Sequence, residues 1–260
     1  MVSFEVIGSR EKAVAIVEIP EELEGRKVEI AKEIMGRHKN VKSVLKKASE
    51  RKGIYRIRKF ELILGEKDTE VIHKEFGCKL KLDPTKVYFS PREGTERARI
   101  ASQVKPGETI MLMFAGIGAY AVIIAKKQPR IDKIICVEIN PEAFKYMQEN
   151  IRLNKLQEKI IPILGDVREK CVEWFGKCDR VIMPLPHEAI NFLDIAISCL
   201  KKKGGFIHLY LIEKEEKADE RAESIVKDLE KKIGKKVNFN LRKVLPYAPR
   251  VFKYCLDIEI

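Results

Sequence analysis

The 260-residue sequence predicts an α/β fold: a largely parallel sheet with helices on both faces, ending in an antiparallel hairpin and preceded by a small α+β domain. Three observations carry this. From about residue 95, short apolar runs alternate with segments of helical length and period. The runs Ile110–Phe114, Lys133–Val137, Ile160–Leu164, Arg180–Met183 and Gly205–Ile212 are mostly continuous, as strands buried on both faces are. The last two, Val237–Val244 and Phe252–Ile258, have no helix between them, so they pair as a hairpin at the sheet edge.

The elements follow in order. Residues 12–18 read as a strand and Val28–His38 as a short helix. Residues 54–64 alternate in part between apolar and polar, which predicts a strand with one wet face. Val71–Phe76, Cys78–Leu82 and Val87–Ser90 are short strands separated by Gly or Pro. This module closes near residue 92, giving a division into 1–92 and 93–260. Beyond it, Thr95–Val104 reads as a helix. Gly116-Ile117-Gly118 opens another through Lys127, and Pro141–Asn154, Glu188–Leu200 and Lys217–Ile233 are further helices between the strands.

Composition narrows the function classes. An apolar share of 45% supplies a core, and no apolar run reaches the roughly 18–20 residues of a membrane span. The N-terminus lacks a signal-peptide pattern, so a cytoplasmic location is expected. Six scattered cysteines form no C-x-x-C pair; they read as reduced and structural, with no metal site. Lys and Arg number 51 against 39 Asp and Glu, a net charge of +12. The surplus concentrates between Lys32 and Lys59, where eleven basic residues face two acidic ones. Such a stripe neutralises phosphates and suits a nucleic acid, although a solvated face of a basic protein has the same composition.

Ligands of a doubly wound sheet sit at the carboxyl ends of strands where the strand order reverses. Phe114-Ala115-Gly116-Ile117-Gly118 follows the first strand of the second domain, where glycines let the backbone approach a ligand at a helix N-terminus. A tight strand–helix turn has the same composition. Glu138, 22 residues after Gly116, ends the second strand, placed to accept the hydroxyls of a ribose. Asp166, just after the third strand, is placed to accept an adenine amine or, equally, to cap a helix. Both acids favour an adenosine cofactor.

Three segments, Phe114–Gly118, Glu138-Ile139-Asn140-Pro141 and Asn150-Ile151-Arg152-Leu153-Asn154, together resemble class I methyltransferase motifs, whose Rossmann-like sheet ends in an antiparallel hairpin. The resemblance extends along the whole chain to the archaeal and eukaryotic tRNA (guanine-37 N1)-methyltransferases and their wyosine-pathway relatives. It runs through Val6–Arg10, His38–Val44, Gly53–Arg58, Ile72–Gly77, Val87–Arg92 and Tyr247–Arg250. It implies S-adenosyl-L-methionine as cofactor, the anticodon loop and stem of tRNA as partner, no metal, and a monomer. It also implies that Glu96, Arg56, Asn140 and Pro141 are catalytic. The cofactor-binding set is Tyr88, Arg92, Phe114, Gly116, Gly118, Glu138, Asp166 and Pro184. Glu96 would be the base that takes the guanine N1 proton, and Arg56 would stabilise charge growing on O6. Read alone, Glu96 is more readily a surface carboxylate paired with Arg92 or Arg99, and the resemblance reverses that reading.

Three departures accompany the resemblance. The family usually carries a further N-terminal domain that contacts the tRNA elbow, and this sequence starts at what would be the second domain. Leu112 stands where an Asp is usual, and Pro184 where an Asn usually helps hold the guanine. A base pocket altered in this way would suit the larger wyosine precursor, which some members methylate at C7. Two alternatives stand beside it, the first also lacking that domain and the second suggested by Leu112. One is the related transferase that delivers an aminocarboxypropyl group from the same cofactor, with Ser90-Pro91-Arg92, Glu96 and Pro184-Leu185-Pro186 favouring the methylating branch. The other is a non-catalytic tRNA-binding protein.

Overall fold

The structure, a computed structural model, describes residues 2–50 and 53–260, so Arg51 and Lys52 of the basic stripe lie outside it. In chain order the strands and helices are β1 (Phe4–Gly8), β2 (Ala13–Val17), α1 (Lys27–Arg37), β3 (Val41–Lys47), β4 (Phe60–Gly65), β5 (Val71–Glu75) and β6 (Cys78–Leu82). Then come α2 (Gly94–Gln103), β7 (Thr109–Met113), α3 (Ala119–Lys127), β8 (Lys133–Glu138), α4 (Pro141–Leu153), β9 (Ile160–Leu164) and α5 (Val167–Lys170). The chain closes with β10 (Arg180–Met183), α6 (Leu193–Cys199), β11 (Phe206–Lys214), α7 (Ala218–Ile233), β12 (Asn238–Ala248) and β13 (Val251–Glu259). The chain divides into two compact units. One comprises the residues up to Gly94 together with Gly116–Ala119 and Asn140–Lys155; the other comprises Thr95–Ala115, Tyr120–Ile139 and Leu156–Ile260.

In the first unit, a four-stranded sheet has the order β1-β2-β3-β4, and β5 and β6 pair separately. β2 and β3 are parallel, with α1 as their crossover. Ala31 and Ile34 of α1 are buried in a core with Ala13, Ala15 and Val17 of β2 and Val41 and Val44 of β3. Three expectations differ here. β1 and β3 are strands that the sequence hides, because the lysines on β3 read as part of the basic stripe rather than as the wet half of an alternation. Residues 54–59 are not in a strand. Gly53 and Arg56 both have positive φ, which turns the chain and delays β4 to Phe60. Val87–Ser90 is irregular too: the Val87 N–H bonds the Asp83 carbonyl, and the chain enters a 3₁₀ turn at Pro91–Glu93.

The second unit is built on a seven-stranded sheet of order β12-β13-β11-β10-β7-β8-β9. From β11 to β9 neighbouring strands are parallel, while β13 runs antiparallel to both β11 and β12. The closing hairpin therefore lies at the edge, as its sequence predicts. One face carries Met111, Val181, Leu209 and Leu256 into a core shared with Ala196 of α6 and Ala222 and Val226 of α7. The segment expected as one helix over Glu188–Leu200 is a 3₁₀ turn, Ala189–Phe192, followed by α6.

Candidate functional site

The strand order reverses at β7, with β8 and β9 on one side and β10 and β11 on the other. Phe114, Glu138 and Asp166 all stand at the carboxyl ends of β7, β8 and β9, the usual ligand edge of such a sheet. Phe114 holds a positive φ of 55° and packs edge-on against Phe192, with centroids 5.0 Å apart. This strained backbone turns the chain off the strand end. Glu138 is buried, and its carbonyl accepts the Gly165 N–H at 2.9 Å, tying the ends of β8 and β9 together. Asp166 caps α5: one carboxylate oxygen accepts the Arg168 N–H at 2.8 Å and the other pairs with its guanidinium at 3.0 Å. Pro184 directly follows β10, and Leu112 is fully buried on β7.

Glu96 is far from a surface carboxylate. It lies on α2, 4% exposed, and accepts the Tyr210 hydroxyl at 2.6 Å. The Arg99 guanidinium forks onto it with two hydrogen bonds of 2.7 Å. Arg99 also donates to Asp257 at 2.5 and 3.2 Å, and Asp257 meets His208 Nδ1 at 2.6 Å. His208 Nε2 meets Arg180 at 2.6 Å, and Arg180 forks onto Glu108 at 2.8 and 3.0 Å. Tyr120 donates to the Tyr210 oxygen at 3.1 Å. Burial would raise the Asp257 carboxyl, but the bonds from His208 and Arg99 outweigh it and hold this group well below the usual carboxylate range. Burial pushes the Tyr210 phenol well up and holds His208 below its ordinary value. Cys255 joins His208 and Asp257 within 4.8 Å, yet both of those are committed to guanidinium groups, so the trio belongs to an ion-pair network.

The remaining expected residues belong to the first unit. Gly116 and Gly118 have φ of 56° and 78°. Space is open where a Gly116 Cβ would stand, whereas one on Gly118 would lie 2.9 Å from the Met147 side chain. Asn140 caps α4, its amide oxygen accepting the Glu142 N–H at 3.0 Å and its NH₂ donating to the Lys86 carbonyl at 3.4 Å; Pro141 fills the first helical turn. The Tyr88 hydroxyl donates to Glu93 at 2.8 Å, and Arg92 lies 3.7 Å from Glu5. Arg56 sits in the turn after Gly53 at φ 52°. Asn150 and Asn154 act as clamps. Each pairs its amide with one residue of β6, Asn150 with Lys81 (2.6 and 3.1 Å) and Asn154 with Lys79 (3.0 and 2.7 Å).

The buried network has a signature in the sequence. His208 and Tyr210 are two apart in an apolar strand, and Lys253, Cys255 and Asp257 repeat with the same period, which puts polar groups on one sheet face.

Sheet order, terminal hairpin and glycine turn together define a class I methyltransferase fold. Residues 71–238 match the TRM5/TYW2 methyltransferase domain and residues 2–69 the TYW2 N-terminal domain. The chain belongs to the TRM5/TYW2 methyltransferase family. It is 44% identical over 259 residues to the tRNA (guanine(37)-N(1))-methyltransferase Trm5b of Pyrococcus abyssi, covering 99% of this chain and 74% of that protein. The crystal structure of that Trm5b superposes with a TM-score of 0.87. The tRNA 4-demethylwyosine(37)-methyltransferase Taw21 of Saccharolobus solfataricus is 40% identical over 192 residues, 74% of this chain and 70% of that one. The structure of P. horikoshii TYW2 in complex with MeSAdo gives a TM-score of 0.83 at 32% identity, covering 99% of this chain and 90% of that one. Among the described residues, no helix is long and apolar enough to cross a membrane.

Proposed function

We propose that the protein is an S-adenosylmethionine-dependent tRNA methyltransferase acting on N1 of guanosine 37, working in the cytoplasm. The observation that carries this reading is the collinear match to Trm5b over 99% of the chain. The cofactor reading is supported by Glu138 and Asp166 at the strand ends and by the open space beside Gly116, which side-chain atoms would otherwise fill. When bound, S-adenosylmethionine supplies an electrophilic methyl group on a sulfonium sulfur.

The chain's own residues then have three tasks. Glu138 accepts the ribose hydroxyls, and Phe114 and the Gly116–Gly118 turn shape the backbone around the cofactor, with Tyr88, Arg92, Asp166 and Pro184 completing its contacts. Asn140 and Pro141 shape the pocket for the base. Glu96 takes the proton from guanine N1, which frees the nitrogen electron pair for attack, and Arg56 donates to O6 as charge grows there. Displacement at carbon needs only this close positioning, with no covalent enzyme intermediate.

Nucleoside mass spectrometry of tRNA incubated with the protein and S-adenosylmethionine tests the reading. One added methyl on guanosine 37 is expected; an aminocarboxypropyl mass overturns it. Glu96→Gln and Arg56→Ala are each expected to lower turnover by about a hundredfold or more while cofactor affinity stays close to wild type. Wild-type turnover in Glu96→Gln overturns the base assignment. A second substrate, 4-demethylwyosine at position 37, is favoured by Leu112 and Pro184 at usually polar positions and by the 40% identity to the tRNA 4-demethylwyosine(37)-methyltransferase Taw21. The same assay on tRNA already carrying that base decides it.

A further inference from the structure

The sheet face opposite the apolar core is polar where α2 covers it. Cross-strand register puts His208 opposite Asp257, Tyr210 opposite Cys255 and Ile182 opposite His208, so Tyr210, His208, Cys255, Asp257 and Lys253 share this face with Leu112. Glu96 enters the same network from α2 through Tyr210 and Arg99. The geometry poses a chemical problem. A carboxylate forked by an arginine alone is a weak base, because the guanidinium stabilises its charged form. Here Arg99 is divided between two carboxylates, and the second, Asp257, is itself held by His208. Glu96 and Asp257 share Arg99, Glu108 pairs with Arg180, and Lys253 is buried with its ammonium 4.7 Å from the centre of the Tyr210 ring.

We propose that Tyr210 and Asp257 are positioning residues for Glu96: Tyr210 fixes the direction of the carboxylate, and Asp257, oriented by His208, draws the Arg99 guanidinium partly away so that Glu96 can accept a proton. The inference rests on Glu96 being the base. It also assigns a role to the polar face that Leu112 shares: the acid that balances the network stands on β13. Among the described residues, Glu96 meets Arg99 on its own helix, Tyr210 on β11 and Cys255 on β13, and through Tyr210 and Arg99 it is linked to Tyr120 on α3, His208 on β11, and Lys253 and Asp257 on β13.

The test compares kcat against pH for Tyr210→Phe and Asp257→Asn in the full chain. Each is expected to lower kcat about tenfold while KM for tRNA stays within about twofold. The acid limb, which reports ionisation of the base, moves in opposite directions. Losing the tyrosine hydrogen bond destabilises the charged carboxylate and moves the limb up. Losing the Asp257 charge leaves Arg99 wholly to Glu96 and moves it down. A merely structural role would lower thermal stability and leave the limb in place. Wild-type kcat and limb in both variants, with Glu96→Gln inactive, overturn this inference alone; normal turnover in Glu96→Gln overturns the base assignment beneath it. Should Asp257→Asn not fold, the near-isosteric Tyr210→Phe decides by itself.

Discussion

At the scale of single residues, two glycines of one turn have different jobs. Gly118 lies at φ 78° with the Met147 side chain 2.9 Å from the position of an added Cβ, so its absent side chain is a packing requirement. Gly116 has a similar φ but open space around it. Gly118→Ala is therefore expected to cost about 1–3 kcal/mol of stability through strain and overpacking together. Gly116→Ala should cost only the backbone part, about 1–2 kcal/mol, while weakening cofactor binding more than Gly118→Ala does at matched stability. Denaturant unfolding and calorimetric titration with S-adenosylmethionine on the two variants check this. Equal losses of affinity would show that the space beside Gly116 is not where the cofactor lies. Burial pushes the Cys178 thiol up to about 12 and raises Cys136 and Cys255 as well, consistent with cysteines that serve as packing atoms and not as nucleophiles.

Among the elements, the amide clamp between α4 and β6 is the least obvious from sequence. Asn150 and Asn154 are one helical turn apart, a rise of about 6 Å, and Lys79 and Lys81 are about 6.6 Å apart along a strand. The matched spacings let each side-chain amide imitate a neighbouring strand, donating and accepting as a backbone would. Asn150 also donates to the Ile117 carbonyl at 3.0 Å. Asn150→Ala is expected to lower stability by about 1–3 kcal/mol, since the Lys81 N–H and the Ile117 carbonyl lose their partner; a denaturant midpoint unchanged from wild type would deny the clamp. The central strands were legible because continuous apolar runs leave few readings: β9 and β10 fall on their predicted bounds. β3 was not, since lysines on the wet face of a sheet look the same in sequence as lysines that await a phosphate. The same limit applies at the site. Glycines, acids and their spacing located the strand-end turn, whereas Tyr210 of β11, which bonds Glu96, and Asp257 of β13, which shares Arg99 with it, lie more than a hundred residues away, where only a period of two betrays them.

On the scale of the whole molecule, the basic stripe is smaller than its composition suggests. Lys46 is bonded to Glu24 and Lys47 to Glu18, so part of the surplus is spent on the protein itself. Among the described residues, exposed Lys32 and Lys39 and half-buried Lys42 have no carboxylate partner, which leaves them available to phosphates. Reversing charge in Lys39→Glu and Lys42→Glu is expected to weaken tRNA binding and to flatten its dependence on salt by roughly one unit of log–log slope per lost phosphate contact. Filter binding across a salt series measures it; an unchanged slope would place the tRNA elsewhere. The discontinuity of the first unit has a different consequence. Its helix α4 is encoded between two strands of the other unit, so the clamp on β6 reaches across about seventy positions of chain. During synthesis β5 and β6 leave the ribosome long before their partner helix exists. The amino-terminal half must wait, with two backbone positions unmatched, until α4 emerges. Its completion is therefore coupled to translation of the second unit, and a gene cut at the apparent boundary would encode neither piece whole.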